Sequence, residues 1–115
     1  YAHRFIGVAR QRAECRGTLH SDRRNYLLST LTGLNVPEGC CTVAVPGSGE
    51  RVLAEGEVCV LDNTFKHYVY NDDESNDRFV LMCEIWHPAL TDAERQAMAT
   101  TRRCARRARM NWSDN

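Results

Sequence analysis

The sequence predicts a mainly β domain, a β-sandwich or barrel-like jelly roll, followed by one C-terminal helix. Two patterns carry that expectation. The first ninety residues hold short runs rich in Val, Ile, Phe, Tyr and Leu, separated by dense turn signals. After Trp86-His87-Pro88 the pattern changes. Thr91-Asp92-Ala93-Glu94 fits a capping box, in which the Thr hydroxyl and the Glu carboxylate satisfy each other's backbone N–H groups. Length adds a bound: 115 residues make one small domain, able to bury roughly two-thirds of its unfolded surface.

In chain order, Phe5 to Val8 is β-branched and apolar enough for a strand, Tyr26 to Leu34 is a mixed apolar run, and Cys41 to Val45 alternates through Val43 and Val45. Pro46-Gly47-Ser48-Gly49-Glu50 is a turn cluster, Arg51 to Leu53 resumes a strand, and Ala54 to Glu57 turns again. Val58 to Leu61, Thr64 to Tyr70 and Arg78 to Ile85 are the clearest strands, with the polar loop 71–77 between the last two. Residues 1–90 then form the jelly-roll body, 91–110 the helix, and 111–115 a frayed tail. No repeat or low-complexity linker interrupts this order.

Composition narrows the function classes. Fifteen basic and fifteen acidic residues balance, which argues against a broad nucleic-acid-binding surface. The basic run Arg102 to Arg109 reads as a solvated helix face in an Arg-biased chain. A weaker alternative makes it a contact for RNA or an acidic lipid surface. No stretch approaches the length of a transmembrane segment. The opening Tyr1-Ala2-His3-Arg4-Phe5 has neither an initiator Met nor a signal-peptide pattern and reads like the middle of a domain. A fragment lacking its N-terminal part is expected, and localisation stays open. None of the six cysteines forms a C-x-x-C pair, so a zinc knuckle is not expected. Cys59 and Cys83 lie in apolar runs and are expected as small buried hydrophobes. Cys15, Cys40 and Cys41 leave room for a disulfide whose pairing the sequence does not assign.

The chemistry-bearing set is His20-x-Asp22, followed by His67 and Arg78. On an extended strand, residues i and i+2 face the same way, so His20 and Asp22 project together. Two imidazoles and one carboxylate fill one triangular face of an octahedral metal and leave three positions for substrate and oxygen. That donor set points to non-heme Fe(II) oxygenases. Such an enzyme holding 2-oxoglutarate needs a fixed cation for the distal carboxylate, and a guanidinium matches it with two parallel hydrogen bonds. His67 in its strand and Arg78 at the start of the next are expected side by side across an antiparallel hairpin. A single His-x-Asp is common by chance, and Arg78 has a plain alternative as a surface partner of Asp77 or Asp73. The ordered combination carries the reading. His87 is expected to pack or cap the turn where the chain leaves the sheet, and His3 receives no role.

The run Val60 to Asn71, with its hydrophobic-Asp62-x-Thr64-Phe65-x-His67 core, resembles the aspartyl/asparaginyl β-hydroxylase family. So does Asp77 to Thr91, an Arg-led strand ending in Trp86-His87-Pro88-x-Leu90-Thr91, followed by Glu94-Arg95. Asn25, Gly33, Leu34 and Pro37 fit the same spacing, so the resemblance covers about His20 to Arg95. It implies a double-stranded β-helix (jelly roll, cupin-like). It also implies His20 and His67 as iron ligands and Arg78 as the holder of the 2-oxoglutarate distal carboxylate. Some animal members have Gly at the position of Asp22. This chain keeps Asp, like bacterial relatives that hydroxylate lipid acyl chains, and its metal triad is complete. Where the family commonly has an Arg-x-His pair on the cosubstrate, this chain has Ser29-Thr30-Leu31. Ser29 retains one hydrogen bond for it, and Leu31 none.

The expectation is therefore an Fe(II)- and 2-oxoglutarate-dependent dioxygenase that hydroxylates an Asp or Asn side chain. Its partners would be 2-oxoglutarate, O2 and a peptide or protein. The alternatives are a jelly-roll binding module that has lost turnover and a hydroxylase of lipid acyl chains.

Overall fold

A computed structural model describes residues 5–112, with side chains to residue 104. Eight strands precede one helix: β1 (Ile6–Gln11), β2 (Cys15–Arg16), β3 (Leu27–Asn35), β4 (Cys41–Val45), β5 (Gly49–Val52), β6 (Val58–Leu61), β7 (Tyr68–Asn71), β8 (Arg78–Trp86) and α1 (Asp92–Trp112). They form two four-stranded sheets, ordered β1-β8-β3-β6 and β2-β7-β4-β5. Every pairing between strands is antiparallel. Apart from the β4–β5 pair, each connection carries the chain from one sheet to the other. The result is mainly β with a C-terminal helix, as the sequence predicts, and is compatible with a jelly roll.

Side-chain alternation builds the interior. Along β3, Leu27, Ser29, Leu31 and Gly33 are buried and the residues between them are half-exposed. Leu31, Cys59, Leu61 and Val80 from the first sheet meet Cys41 and Val43 from the second, and Val36 and Leu53 seal the gaps. Gly33 marks a close crossing of two chain segments: a Cβ there would lie 2.3 Å from the Ala54 carbonyl oxygen. Backbone bonds from Gly33 N–H to Glu57 O (3.0 Å) and from Gly56 N–H to Gly33 O (2.9 Å) hold that crossing.

Several expectations shift. β1 extends to Gln11, held by pairing along β8. The two-residue β2 has no sequence signal of its own, and its pairing with Tyr70 and Asn71 creates it. Gly49 and Glu50 belong to β5, not to the turn. Residues 63–65 form a turn, so Thr64 and Phe65 do not start β7, which begins at Tyr68. β7 and β8 form no hairpin, because they lie in different sheets. Cys59 is buried as expected. Cys83 is half-exposed, because β8 turns Met82 and Glu84 towards β3's inward residues and Cys83 to the other face. All six cysteines are free.

The capping box forms. Thr91 N–H and Oγ1–H donate to Glu94 Oε2 at 2.8 and 2.7 Å, and Glu94 N–H donates back to Thr91 Oγ1 at 3.3 Å. Arg102 and Arg103 are exposed, and the side chains of residues 105–109 lie outside the described ones. Asn111 and Trp112 continue the helix, whereas 113–115 and His3 fall outside the described residues. Among the described residues no helix is long and apolar enough to cross a membrane.

Candidate functional site

The segment around His20 is extended but belongs to no sheet. A single antiparallel bridge joins it to His67. His20 N–H donates to His67 O at 3.1 Å, and His67 N–H donates to His20 O at 2.9 Å. The two side chains therefore stand together, with ring centroids 4.5 Å apart. Each ring is also tied to its own backbone. His20 Nδ1 lies 2.8 Å from Thr18 O, and His67 Nδ1 lies 2.9 Å from Phe65 O. A carbonyl oxygen only accepts, so each Nδ1 is the donor, and in the neutral ring Nε2 then keeps its lone pair. This is the tautomer a metal-binding imidazole needs.

The approach to His67 is shaped by the residues before it. Asp62 Oδ1 accepts from Thr64 N–H at 2.9 Å and from Thr64 Oγ1–H at 2.7 Å. This closes an Asx turn, the physical content of the Asp-x-Thr motif. The same two bonds, the hydroxyl's first, hold the Asp62 carboxyl below the usual carboxylate range.

Asp22 follows His20 by two residues. Its backbone N–H donates to Asn63 O at 2.9 Å, and its Oδ2 accepts from Asn63 Nδ2 at 3.1 Å. Ser21 Oγ donates to Thr64 O at 2.9 Å, fastening the same two segments. Arg23, at φ +55°, ends the extended stretch. The structure brings His20 and His67 together and holds Asp22 on the same pair of segments. Among the described residues, no three His, Cys, Asp or Glu side chains are gathered into a group that would hold a metal ion. The donor types and the histidine tautomers fit a first-row divalent ion, while the Asp22 carboxylate is engaged with Asn63.

Ser29 is 3% exposed, and its Oγ accepts from Asn63 Nδ2 at 2.6 Å. Across the sheet it faces Leu61 on β6 and Glu84 on β8. Glu84 is buried, and its carboxyl is pushed up by that burial and by the Asp22 charge, with Arg24 and Arg102 pulling it down. Neither Asn63 nor Glu84 was singled out in the sequence. A lone acidic residue in the apolar run of β8 was the available signal for Glu84. Asn63 occupies a free position of the motif and gave none.

Arg78 sits at the opposite end of β8, paired with Gln11. It precedes Glu84 by six positions, about 20 Å of strand. It is not the surface partner of an acidic loop. It is 5% exposed, and its Nε and Nη1 are buried with no hydrogen-bond partner. Asp77 accepts instead from Arg10 and from Ala13 N–H, and Asp73 from the backbone of Ser75 and Asn76. Burial lowers the Arg78 pKa, though a guanidinium stays charged at any ordinary pH. A buried cation with idle N–H groups is a costly arrangement that a carboxylate would relieve. The interior between the two ends is apolar, with Leu31, Val80 and Leu61 buried there and Met82 packed against them.

His87 takes the expected capping role. Its Nδ1 accepts from Ala89 N–H at 3.2 Å and its backbone N–H donates to Tyr26 O at 2.9 Å, closing the turn after β8.

Residues 4–88 match the family described as Aspartyl/Asparaginyl beta-hydroxylase. The chain belongs to the aspartyl/asparaginyl β-hydroxylase family. The matched stretch contains His20, Asp22, His67 and Arg78 and ends where the turn after β8 begins. Among family relatives, the chain is 34% identical over 83 residues to "Aspartate beta-hydroxylase domain-containing protein 2" of Mus musculus, covering 70% of this chain and 24% of that protein. It is 30% identical over 79 residues to "Aspartyl/asparaginyl beta-hydroxylase" of Mus musculus, covering 69% and 10%. Against "Aspartate beta-hydroxylase domain-containing protein 1" of Homo sapiens it is 37% identical over 68 residues, covering 57% and 17%. The chain thus spans about a quarter or less of the length of these hydroxylase-family proteins.

Proposed function

We propose that this chain carries the metal- and cosubstrate-binding part of an Fe(II)- and 2-oxoglutarate-dependent hydroxylase acting on an Asp or Asn side chain of a peptide or protein. The observation that supports it best is the bridged histidine pair, with ring centroids 4.5 Å apart and both Nδ1 atoms tied to carbonyls. His20, His67 and Asp22 would hold the ion. Bound Fe(II) supplies activation of O2, coupled to oxidation of the 2-oxo acid.

The chain's own residues do the rest. The Asx turn at Asp62 and the His20–His67 bridge orient the imidazoles before any ion arrives, so little ordering is left to pay on binding. Arg78 offers its idle N–H groups to a distal carboxylate in a dry setting, where a charge-assisted pair is strong. Leu31 and Val80 are buried in the apolar core, and Met82 packs against it. The names of the relatives, aspartate β-hydroxylase domain-containing protein 2 and aspartyl/asparaginyl β-hydroxylase, support an Asp or Asn side chain as the substrate.

The test is succinate formation from 2-oxoglutarate with Fe(II) and O2, compared with His67→Ala. Absence of turnover together with absence of iron binding by the intact chain would refute the proposal. Leu31 favours one second reading, a binding module without turnover. Its side chain is packed in the core and offers the cosubstrate no polar contact. Calorimetric titration of 2-oxoglutarate into the metal-loaded chain separates the two, since micromolar binding removes the second reading.

A further inference from the structure

We infer that Asn63 is a positioning residue: it fixes the Asp22 carboxylate for metal binding, with Ser29 as its brace. The inference rests on reading His20, Asp22 and His67 as the metal set and goes one layer behind it.

Asn63 grips Asp22 twice. Its backbone carbonyl accepts from Asp22 N–H at 2.9 Å, and its Nδ2 donates to Asp22 Oδ2 at 3.1 Å. The orientation of the amide follows from chemistry. An ionised carboxylate only accepts, so the nitrogen of Asn63, not its oxygen, faces Asp22. A primary amide has two N–H donors, and the second is also used, to Ser29 Oγ at 2.6 Å. Rotating the amide would set its oxygen against the Asp22 carboxylate and break that bond, while the Ser29 hydroxyl could still donate to the oxygen. Asn63 and Ser29 are buried, so a bond lost there would not be replaced by water.

The brace is rigid at both ends. Ser29 lies mid-strand on β3, paired with β6 and β8. Asn63 stands between Asp62 and Thr64, inside the Asx turn those residues close. With Oδ2 in that hydrogen bond, the Asp22 carboxylate would meet an ion in an orientation fixed in advance. Outer partners of ligating carboxylates act in this way, and their loss costs roughly 10- to 100-fold in metal affinity. Ser29 on this reading works through Asn63, not on the cosubstrate.

The experiment is a titration of the 115-residue chain with Co(II), followed by visible absorption, with folding checked by far-ultraviolet circular dichroism. Asn63→Ala should weaken Co(II) binding by about 10- to 100-fold with the β spectrum kept, and Ser29→Ala by a smaller factor. In an Asp22→Ala background, Asn63→Ala should change the affinity by less than about twofold, since a residue acting through Asp22 has nothing left to act on. An equal loss with and without Asp22 would overturn the inference, as would unchanged affinity in Asn63→Ala when Asp22→Ala is weakened. Intact affinity in Asp22→Ala, or no Co(II) binding by the unaltered chain, would overturn the metal set itself and this inference with it. Should Asn63→Ala not fold, Asn63→Ser is read by the same criteria.

Discussion

At one end of the interior, His20, Asp22 and His67 are held by bonds that are mostly short in sequence or shared between two facing segments. Each imidazole leans on the carbonyl two residues before it, and Asp62 folds the turn that delivers His67. At the other end, Arg78 is placed by strand register alone, against Gln11, and its Nε and Nη1 meet no acceptor. The first end is satisfied polar structure. The second carries an unmet electrostatic demand. A satisfied site spends its bonds on geometry, whereas an unsatisfied buried cation keeps its bonding capacity for a ligand.

Four substitutions probe that contrast. The largest effect is expected for His67→Ala, which should lower Co(II) affinity by more than about 100-fold, beyond the loss of any outer partner. Metal titration measures it, and a change under tenfold would mean that the histidine pair is only a backbone clasp.

Arg78→Met comes next. It should weaken 2-oxoglutarate binding to the metal-loaded chain by about 30-fold or more, the scale for truncating one side of a buried charge pair. Its melting temperature should hold or rise, because an apolar side chain replaces a buried cation without partners. A clear fall in melting temperature would show that Arg78 supports the fold, and the contrast between the two ends would collapse.

Asp62→Ala tests the satisfied end. Loss of its bonds to Thr64 should cost about 1 kcal/mol in urea unfolding at neutral pH. The Asp62 carboxyl is depressed in the folded state. Its contribution is therefore complete above the ordinary carboxylate value near 4 and is lost as pH falls through the lower folded value. The variant should show less loss of stability on acidification than the unaltered chain. An unchanged acid limb would place the turn's stability elsewhere.

The smallest effect is expected far from both ends. Thr91→Ala removes one half of the capping box, worth up to about 1 kcal/mol of helix stability. The loss should appear as reduced helical circular dichroism, with Co(II) affinity unchanged. A change in metal binding would couple α1 to the site.

Much of this architecture was legible in the residues. Cys41 to Val45 and Val58 to Leu61 are strands with the bounds their apolar runs suggest. β8 extends one residue beyond its run, and the capping box forms as written. His20 and His67 do come together. The sequence did not reveal that residues 63–65 turn, because Thr and Phe favour strands and the Asp62 side chain diverts them. Nor did it reveal β2, whose two residues are a strand only through β7. Asn63 was silent because a motif's variable position carries no pattern, although its side chain joins three segments.

By itself the sequence determined the strand runs, the helix start and the identity of the chemistry-bearing residues, since these depend on local periodicity, turn chemistry and residue type. Tertiary structure alone decided which sheet each strand joined. It held His67 in a lone bridge to His20, outside both sheets, put Arg78 at the start of β8 without a partner at Nε and Nη1, and put Asn63 behind Asp22. Those outcomes depend on pairings between residues some forty to seventy positions apart, which no local pattern encodes.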